Sequence, residues 1–183
     1  MTEQNRTRHL IAFTLLSILF SPPLMTDPQA HEFAMKALYI KKFNNYIEWP
    51  EWKINDQSKS TFRIGIIGKN PIFGKLKYVF KETVLFQKKV SVEYANKPDE
   101  YSEFNIIFIS SGQLNQIPRL VEIAKKHCIL LIGDTPGYAE AGVHINFFIR
   151  KTKLRFQINR KSLLRSKLSA SSFLLSLAEL VEK

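Results

Sequence analysis

Residues 129–147 read ILLIGDTPGYAEAGVHINF, and this stretch decides the fold. The apolar run Ile129–Ile132 is typical of a strand that is buried on both faces of a sheet. The residues that follow include glycine, aspartate and proline, which are the types that make tight turns. The stretch therefore predicts a central strand, a turn at its carboxyl end and a second strand that begins near Val143.

Outward from this stretch, apolar strands alternate with helical patterns. Further buried strands are predicted at Phe62–Ile67 and Asn105–Ile109, and an alternating strand is predicted at Val90–Ala95. Strands that alternate with helices imply right-handed crossovers and mainly parallel pairing. We therefore expect an α/β fold, in which a mainly parallel sheet is flanked by helices in a Rossmann-like arrangement.

The C-terminal part follows a different period. Val143–Ile149 and Leu154–Ile158 alternate between apolar and polar residues, which marks strands with one buried face. The short segment between them predicts an antiparallel hairpin at the edge of the sheet. A last helix, capped by Ser169 or Ser171, is predicted to continue to Val181.

The N-terminus predicts export. Two arginines precede the apolar run Leu10–Phe20, and a proline-rich segment follows, as in a secretory signal peptide. These 11 residues are too few for an ordinary membrane span, which needs about 20. We expect residues 1–30 to form the signal, with cleavage after Ala30 or retention as an uncleaved anchor. Residues 31–183 then form a single α/β domain in the periplasm.

The formal net charge is +11, from 27 Lys and Arg against 16 Asp and Glu. Such a charge favours anionic partners, but export argues against nucleic acid. Basic residues concentrate in and after the hairpin, at Arg150, Lys151, Lys153, Arg155, Arg160, Lys161, Arg165 and Lys167. Two interpretations remain open: a solvated surface, or a face for an acidic partner or an anionic envelope surface.

Three predicted strands end in small or polar residues. Because the carboxyl ends of parallel strands share one edge of a sheet, these ends form a candidate site for a small ligand. Its side chains would come from Lys69, Ser110, Ser111 and Asp134. Ordinary turn chemistry also explains these residues, and Asp134 in particular suits a cap for the turn before Pro136.

Residues 31–48 predict a first helix, which ends at Trp49-Pro50 because a residue before proline avoids the helical region. This part of the chain holds more aromatic side chains than one buried stripe needs. Surplus aromatic residues are typical of surfaces that bind partner proteins. The residues predicted to contact a partner are Tyr39, Tyr46, Trp49 and Trp52, and core packing is a second explanation for Trp49.

The sequence contains no recognisable catalytic or metal-binding motif. Cys128 is the single cysteine, so an internal disulfide is excluded, and its position at an apolar strand indicates a buried, inert thiol. No two of the four histidines stand at helical spacing from each other, and no serine lies in a nucleophile elbow. We expect a protein without enzyme activity, metal or cofactor.

Several short motifs follow one another in a characteristic order. They are Lys36-Ala37, Phe43, Tyr46 and Glu48-Trp49-Pro50; Phe62-Arg63-Ile64, Gly68, Pro71 and Phe73; Ile107-Phe108-Ile109-Ser110; Gly133-Asp134, Pro136-Gly137-Tyr138-Ala139, Gly142 and Ile145-Asn146-Phe147; Arg155-Phe156 and Ile158-Asn159; and Leu168, Ser171-Ser172 and Leu174-Leu175. In this order and spacing they resemble the YfiR-like family of bacterial periplasmic proteins, over residues from His31 to Val181.

The resemblance implies a regulatory protein that binds others. The best-known members restrain an inner-membrane diguanylate cyclase, which makes cyclic-di-GMP, and an outer-membrane lipoprotein can sequester them. A sensor kinase is a related expectation for the partner, and the resemblance is compatible with a homodimer. Asn146 and Arg155 are expected to shape the hairpin. Family members often carry a cysteine near the strand at Ile106–Ile109, where this chain has none, so regulation through disulfides is not expected.

Overall fold

Strands and helices alternate along most of the chain in this computed structural model, which describes residues 27–182. The α-helices are α1 (Pro28–Phe43), α2 (Glu51–Ile54), α3 (Ile72–Phe80), α4 (Ile117–His127), α5 (Arg160–Arg165) and α6 (Ser172–Leu177). The strands are β1 (Ile47–Glu48), β2 (Thr61–Ile67), β3 (Val84–Leu85), β4 (Lys88–Tyr94), β5 (Ile106–Ile109), β6 (Leu130–Gly133), β7 (Ile145–Arg150), β8 (Lys153–Asn159), β9 (Ser169–Ala170) and β10 (Glu179–Val181). Short 3-10 helices cover Pro98–Glu103 and Leu114–Gln116.

The main sheet has eight strands in the order β10-β8-β7-β6-β5-β2-β4-β3. Neighbouring strands are parallel except for the pairs β3–β4 and β7–β8, which are antiparallel. The predicted mainly parallel α/β sheet and the β7–β8 hairpin are thus confirmed. The central strands are apolar along their whole length because helices cover both faces of the sheet.

Two hydrophobic cores lie on opposite faces of the sheet. Strand β5 contributes alternate residues to each of them, with Ile106 and Phe108 on one face and Ile107 and Ile109 on the other. Helices α1, α3 and α6 and Leu163 of α5 pack on the first face, and α4 covers the second.

Helix α1 ends earlier than the sequence predicts. It stops at Phe43, and Asn44 Nδ2 donates a hydrogen bond back to the Ile40 carbonyl at 2.9 Å. The chain then turns, so that Ile47 pairs with Ala170 in the small antiparallel β1–β9 sheet. The prediction of one helix over residues 31–48 is wrong at its C-terminal end, because pairing with a distant strand replaces its last turn.

The C-terminus also differs from the prediction. Ser171 caps α6 by accepting a hydrogen bond from the Leu174 N–H at 3.2 Å, as the sequence suggests. The helix nevertheless ends at Leu177, and Glu179–Val181 forms β10, which pairs in parallel with β8. The predicted helix to Val181 is therefore wrong, and β10 lies outside the hairpin at that edge of the sheet.

The predicted signal peptide falls mostly on residues 1–26, which lie outside the described residues. Asp27 precedes α1 and accepts a hydrogen bond from the Gln29 N–H at 3.0 Å. The predicted cleavage point after Ala30 lies in the first turn of this helix. Within residues 27–182, no helix is both long enough and apolar enough to cross a membrane.

Candidate functional site

The carboxylate of Asp134, at the carboxyl end of β6, is held by a lysine of α1. Lys36 Nζ lies 2.7 Å from Asp134 Oδ2 and 2.6 Å from Glu32 Oε1. The side chains of Lys36 and Asp134 are only 5% and 9% exposed. The ammonium group also lies 5.0 Å from the centre of the Phe33 ring, which adds a cation–π contact. The Lys36–Asp134 ion pair ties α1 to the sheet. It also engages the carboxylate for which the sequence predicts either ligand binding or a turn cap.

The other predicted ligand residues lie in environments that differ from that of Asp134. Ser110 is buried; its Oγ donates to the Gly68 carbonyl at 3.4 Å, and its own carbonyl accepts from the Tyr138 hydroxyl at 2.9 Å. Ser111 is exposed. Lys69 lines a separate open cleft of 590 Å³. The four side chains therefore differ in burial and in the groups that they contact.

Asn146 and Arg155 lie on the two strands of the hairpin but differ in environment. Asn146 is buried; its Nδ2 donates to the Thr135 carbonyl at 3.0 Å, and its Oδ1 accepts from the Thr135 N–H at 3.3 Å. It thus fastens β7 to the turn that carries Asp134. Arg155 is exposed, and it lines a cleft of 590 Å³ between the hairpin and the first turns of α1.

Ser166 and His144 form a buried pair of the two residue types that serve as nucleophile and base in many hydrolases. The ring of His144 is fully buried, and burial lowers its pKa to about 3. Its Nδ1 accepts from the Leu131 N–H at 3.1 Å, so the proton lies on Nε2, which donates to Ser166 Oγ at 3.0 Å. A histidine that donates to the serine does not act as its base, and neither side chain meets solvent. The pair is structural.

The predicted aromatic contacts fall into three environments. Trp49 is buried in the core, where its ring packs at 5.9 Å from Phe62 and 5.7 Å from Phe86. Trp52 is exposed on α2. Tyr39 and Tyr46 are half-buried and line one apolar cleft. Of the four, these two tyrosines are brought together.

This apolar cleft, of 390 Å³, lies between α1 and α6 and is called the α1–α6 cleft below. Its floor includes the ring of Phe156, and Tyr46 closes one end by packing 5.3 Å from Phe173. Leu38 on α1, and Phe173 and Leu177 on α6, are exposed at its rim. Large apolar side chains that cluster at the surface mark interaction sites.

A second cleft, of 510 Å³, lies on the other side of α1 and is called the α1–α3 cleft. It shares Leu38 with the α1–α6 cleft, and it is bordered by Gly74, Lys75 and the exposed Tyr78 of α3. The outer side of α1 is therefore flanked by two grooves whose walls are mostly apolar. We call this surface the α1 face.

The charged residues that line these two clefts are both lysines, Lys42 and Lys75. Neither forms a salt bridge with any carboxylate of residues 27–182. Over the same part of the chain, no three histidine, cysteine or acidic side chains are grouped as a metal site would require. The α1 face thus combines apolar side chains with positive charge and suits binding.

Sequence reasoning named Lys36 only within the Lys36-Ala37 motif, and it did not predict a role for Leu38, Lys42 or Lys75. The sequence does carry a signal for Lys36, because this residue lies on the buried stripe of α1 at helical spacing from Phe33. A buried lysine needs an anionic partner, because an unpaired buried charge is costly. Leu38 lies off that stripe, where a solvated helix usually carries a polar residue. The two remaining lysines carry no local signal that sets them apart.

Comparison with solved structures shows the fold. A crystal structure of a conserved domain protein from Vibrio cholerae matches with a TM-score of 0.54 and 11% identity, covering 81% of this chain and 59% of that chain. The ABC domain of Streptococcus pneumonia in complex with L-Trp reaches a TM-score of 0.46 and 9% identity, covering 66% of this chain and 55% of that chain, and supports no argument. This chain thus spans less than two thirds of either structure.

No curated protein matches the chain. The family comparison is more specific, since the model described as YfiR/HmsC-like matches residues 33–179, which include every strand of the sheets except the last two residues of β10. All the motifs quoted from the sequence lie within this range. The chain belongs to the YfiR/HmsC-like family of periplasmic regulatory proteins.

Proposed function

We propose that this protein is exported through residues 1–30 and binds the periplasmic region of an inner-membrane signalling protein, a diguanylate cyclase or a sensor kinase. Binding restrains the signalling protein without any chemical conversion. An outer-membrane lipoprotein that binds the same regulator would relieve this restraint.

The observation that supports the proposal is the α1 face. Exposed leucine and phenylalanine side chains surround the α1–α6 cleft, and Tyr39 and Tyr46 line it. A few side chains in desolvated pockets, tyrosine often among them, supply most of the energy of protein interfaces. An exposed surface of this kind is costly in water unless a partner covers it.

The alternative, a small-ligand sensor at the carboxyl edge of the sheet, has less support. It requires Lys69, Ser110, Ser111 and Asp134 to act together, whereas Lys36 holds Asp134 and Ser110 is buried. A metabolite screen by thermal shift tests it, because a ligand that binds the native state raises the melting temperature.

The proposal is tested by crosslinking in intact cells, followed by identification of the crosslinked membrane protein. Leu177→Asp places a charge at the rim of the cleft. Leu114→Asp is the matched control, because Leu114 is 55% exposed against 52% for Leu177 and lies beside α4 on the opposite face. Mass spectrometry of the purified protein locates the mature N-terminus in the same cells.

We expect wild type and Leu114→Asp to recover a cyclase or sensor kinase, and Leu177→Asp to lose it. If the partner is a cyclase, cellular cyclic-di-GMP rises in the Leu177→Asp strain only. Intact, exported protein that crosslinks to no membrane signalling protein contradicts the proposal. If all three proteins recover the partner equally, the interface does not lie on the α1 face.

A further inference from the structure

We infer that the α1 face receives an amphipathic helix of its partner, with apolar side chains that enter the α1–α6 cleft and carboxylates that pair with Lys42 and Lys75. This inference rests on the proposed function and specifies the kind of segment that the signalling protein must present.

The walls of the two clefts indicate a helix. Nearly all their residues belong to α1, α3 and α6, whose backbone groups are already bonded within each helix. The α1 face therefore offers no open strand edge that could pair with an extended peptide. A partner segment in an apolar cleft must satisfy its own backbone N–H and C=O groups, since leaving them unpaired is costly. An α-helix does so.

The shape of the face fits the spacing of helical side chains. Leu38 and Lys42 lie at i and i+4, so they stand on the same side of α1, one turn apart. Leu177 borders the cleft from α6. A partner helix in this groove would place apolar residues at i, i+3, i+4 and i+7 against the cleft, as in other helix-in-groove complexes.

The charge of the lining indicates an acidic helix. Lys42 and Lys75 flank the apolar residues, and no carboxylate lines either cleft. Carboxylates beside the apolar stripe of the partner would meet these ammonium groups, whereas lysines there would be repelled. The overall charge of +11 acts in the same direction by attracting an acidic segment from a distance.

Charge disfavours one other occupant of the α1 face, and shape disfavours a second. A second copy of this chain would bring another strongly basic surface against this one. A membrane would need a flat or convex apolar surface, whereas the α1–α6 cleft is concave, with a volume of 390 Å³. Both remain measurable outcomes of the experiment.

The experiment uses the full chain and two designed, labelled peptides of equal length. Each carries leucine at positions i, i+3, i+4 and i+7; one has glutamate and the other has lysine on the remaining faces. Fluorescence anisotropy measures both dissociation constants. The variants are Leu177→Asp and the double change Lys42→Glu with Lys75→Glu. The controls are Leu114→Asp and Lys126→Glu, which lie on the opposite side of the sheet.

We expect the glutamate peptide to bind at least about tenfold more tightly than the lysine peptide, a difference of about 1.4 kcal/mol. Leu177→Asp should weaken it at least about tenfold, the double charge reversal should invert the preference, and the controls should change neither. No measurable binding at about 1 mM peptide, or equal binding of both peptides, overturns the inference.

Two parallel measurements identify the other occupants. Phosphatidylglycerol vesicles that bind the wild type but not Leu177→Asp would assign the face to the membrane and overturn the inference. A dimer that Leu177→Asp converts to monomers in sedimentation would assign it to a second copy, with the same consequence. If the charge-reversed protein still captures its signalling protein in cells at the wild-type level, the inference fails while the proposed function stands.

Discussion

The buried Lys36–Asp134 pair should be the strongest polar attachment of α1 to the sheet, and Lys36→Met tests this. Methionine keeps the length and most of the apolar volume of the lysine stem but removes its charge. The change leaves Asp134, whose side chain is 9% exposed, without its cation. Removing one partner of a buried ion pair costs about 3–5 kcal/mol.

The environment of Lys36 places the expected loss of unfolding free energy in Lys36→Met near the lower end of that range. Glu32 is 32% exposed, so losing its contact with Lys36 adds little; pairs at i and i+4 on a helix are worth about 0.3–0.5 kcal/mol. The cation–π contact with Phe33 contributes about 0.5–1 kcal/mol. Some relaxation of Asp134 toward water offsets these losses. We expect the free energy of unfolding to fall by about 3 kcal/mol, a large part of the ~5–15 kcal/mol of an ordinary domain.

Urea unfolding followed by circular dichroism measures this change. Lys97→Met is the control, because Lys97 pairs with Glu100 at i and i+3 on the surface, where the loss should stay within about 0.5 kcal/mol. Asp134→Asn and the double variant Lys36→Met with Asp134→Asn complete a cycle that isolates the pair. If Lys36→Met costs no more than Lys97→Met, or if the two single changes simply add, the pair does not anchor α1.

Two further predictions concern stability. Gly133→Ala should destabilise the protein in urea titrations, because the added Cβ would lie 2.8 Å from Tyr138 Cδ2. Gly74→Ala, with open space around it inside α3, should stabilise the protein by up to about 1 kcal/mol. Equal effects at the two sites would contradict this prediction. The pKa of His144 is lowered by burial from 6.5 to about 3, so only the unfolded chain takes up a proton there as the pH falls through 6.5. The free energy of unfolding should therefore fall as the pH is lowered from about 6.5 to 3, by up to about 1.4 kcal/mol per pH unit from this group. If the unfolding free energy of His144→Gln depends on pH in this range as steeply as that of the wild type, the prediction is wrong.

The main sheet was predictable because its central strands carry their own signal. The four residues of β5 are all apolar and all buried, and no helix of useful length fits such a short run. The hairpin followed from a period of two, which marks strands with one buried face. These signals are local, so they can be recognised without knowledge of the rest of the fold.

The short strands and the ion pair were not predictable in this way. Ile47 extends because Ala170 pairs with it, although the two residues are 123 positions apart. Lys36 and Asp134 are 98 positions apart, and neither residue identifies the other. Trp49 joined the predicted contact residues because aromatic side chains look alike in a sequence, whereas its burial depends on Phe62 and Phe86. Each of these features depends on tertiary pairing, which no periodicity encodes.

The unequal lengths of α1 and α6 explain why a groove lies between them on the α1 face. Helix α1 has 16 residues and α6 has six, so at 1.5 Å per residue they extend about 24 Å and 9 Å. A short helix beside a long one leaves a gap in the helix layer, and Phe173 and Leu177 remain exposed beside it. The buried Lys36–Asp134 pair and the Phe43–Phe147 ring contact at 5.8 Å hold α1 against the sheet from below. A groove with walls held in this way would need little ordering when a partner helix enters, and a lower ordering cost translates into tighter binding.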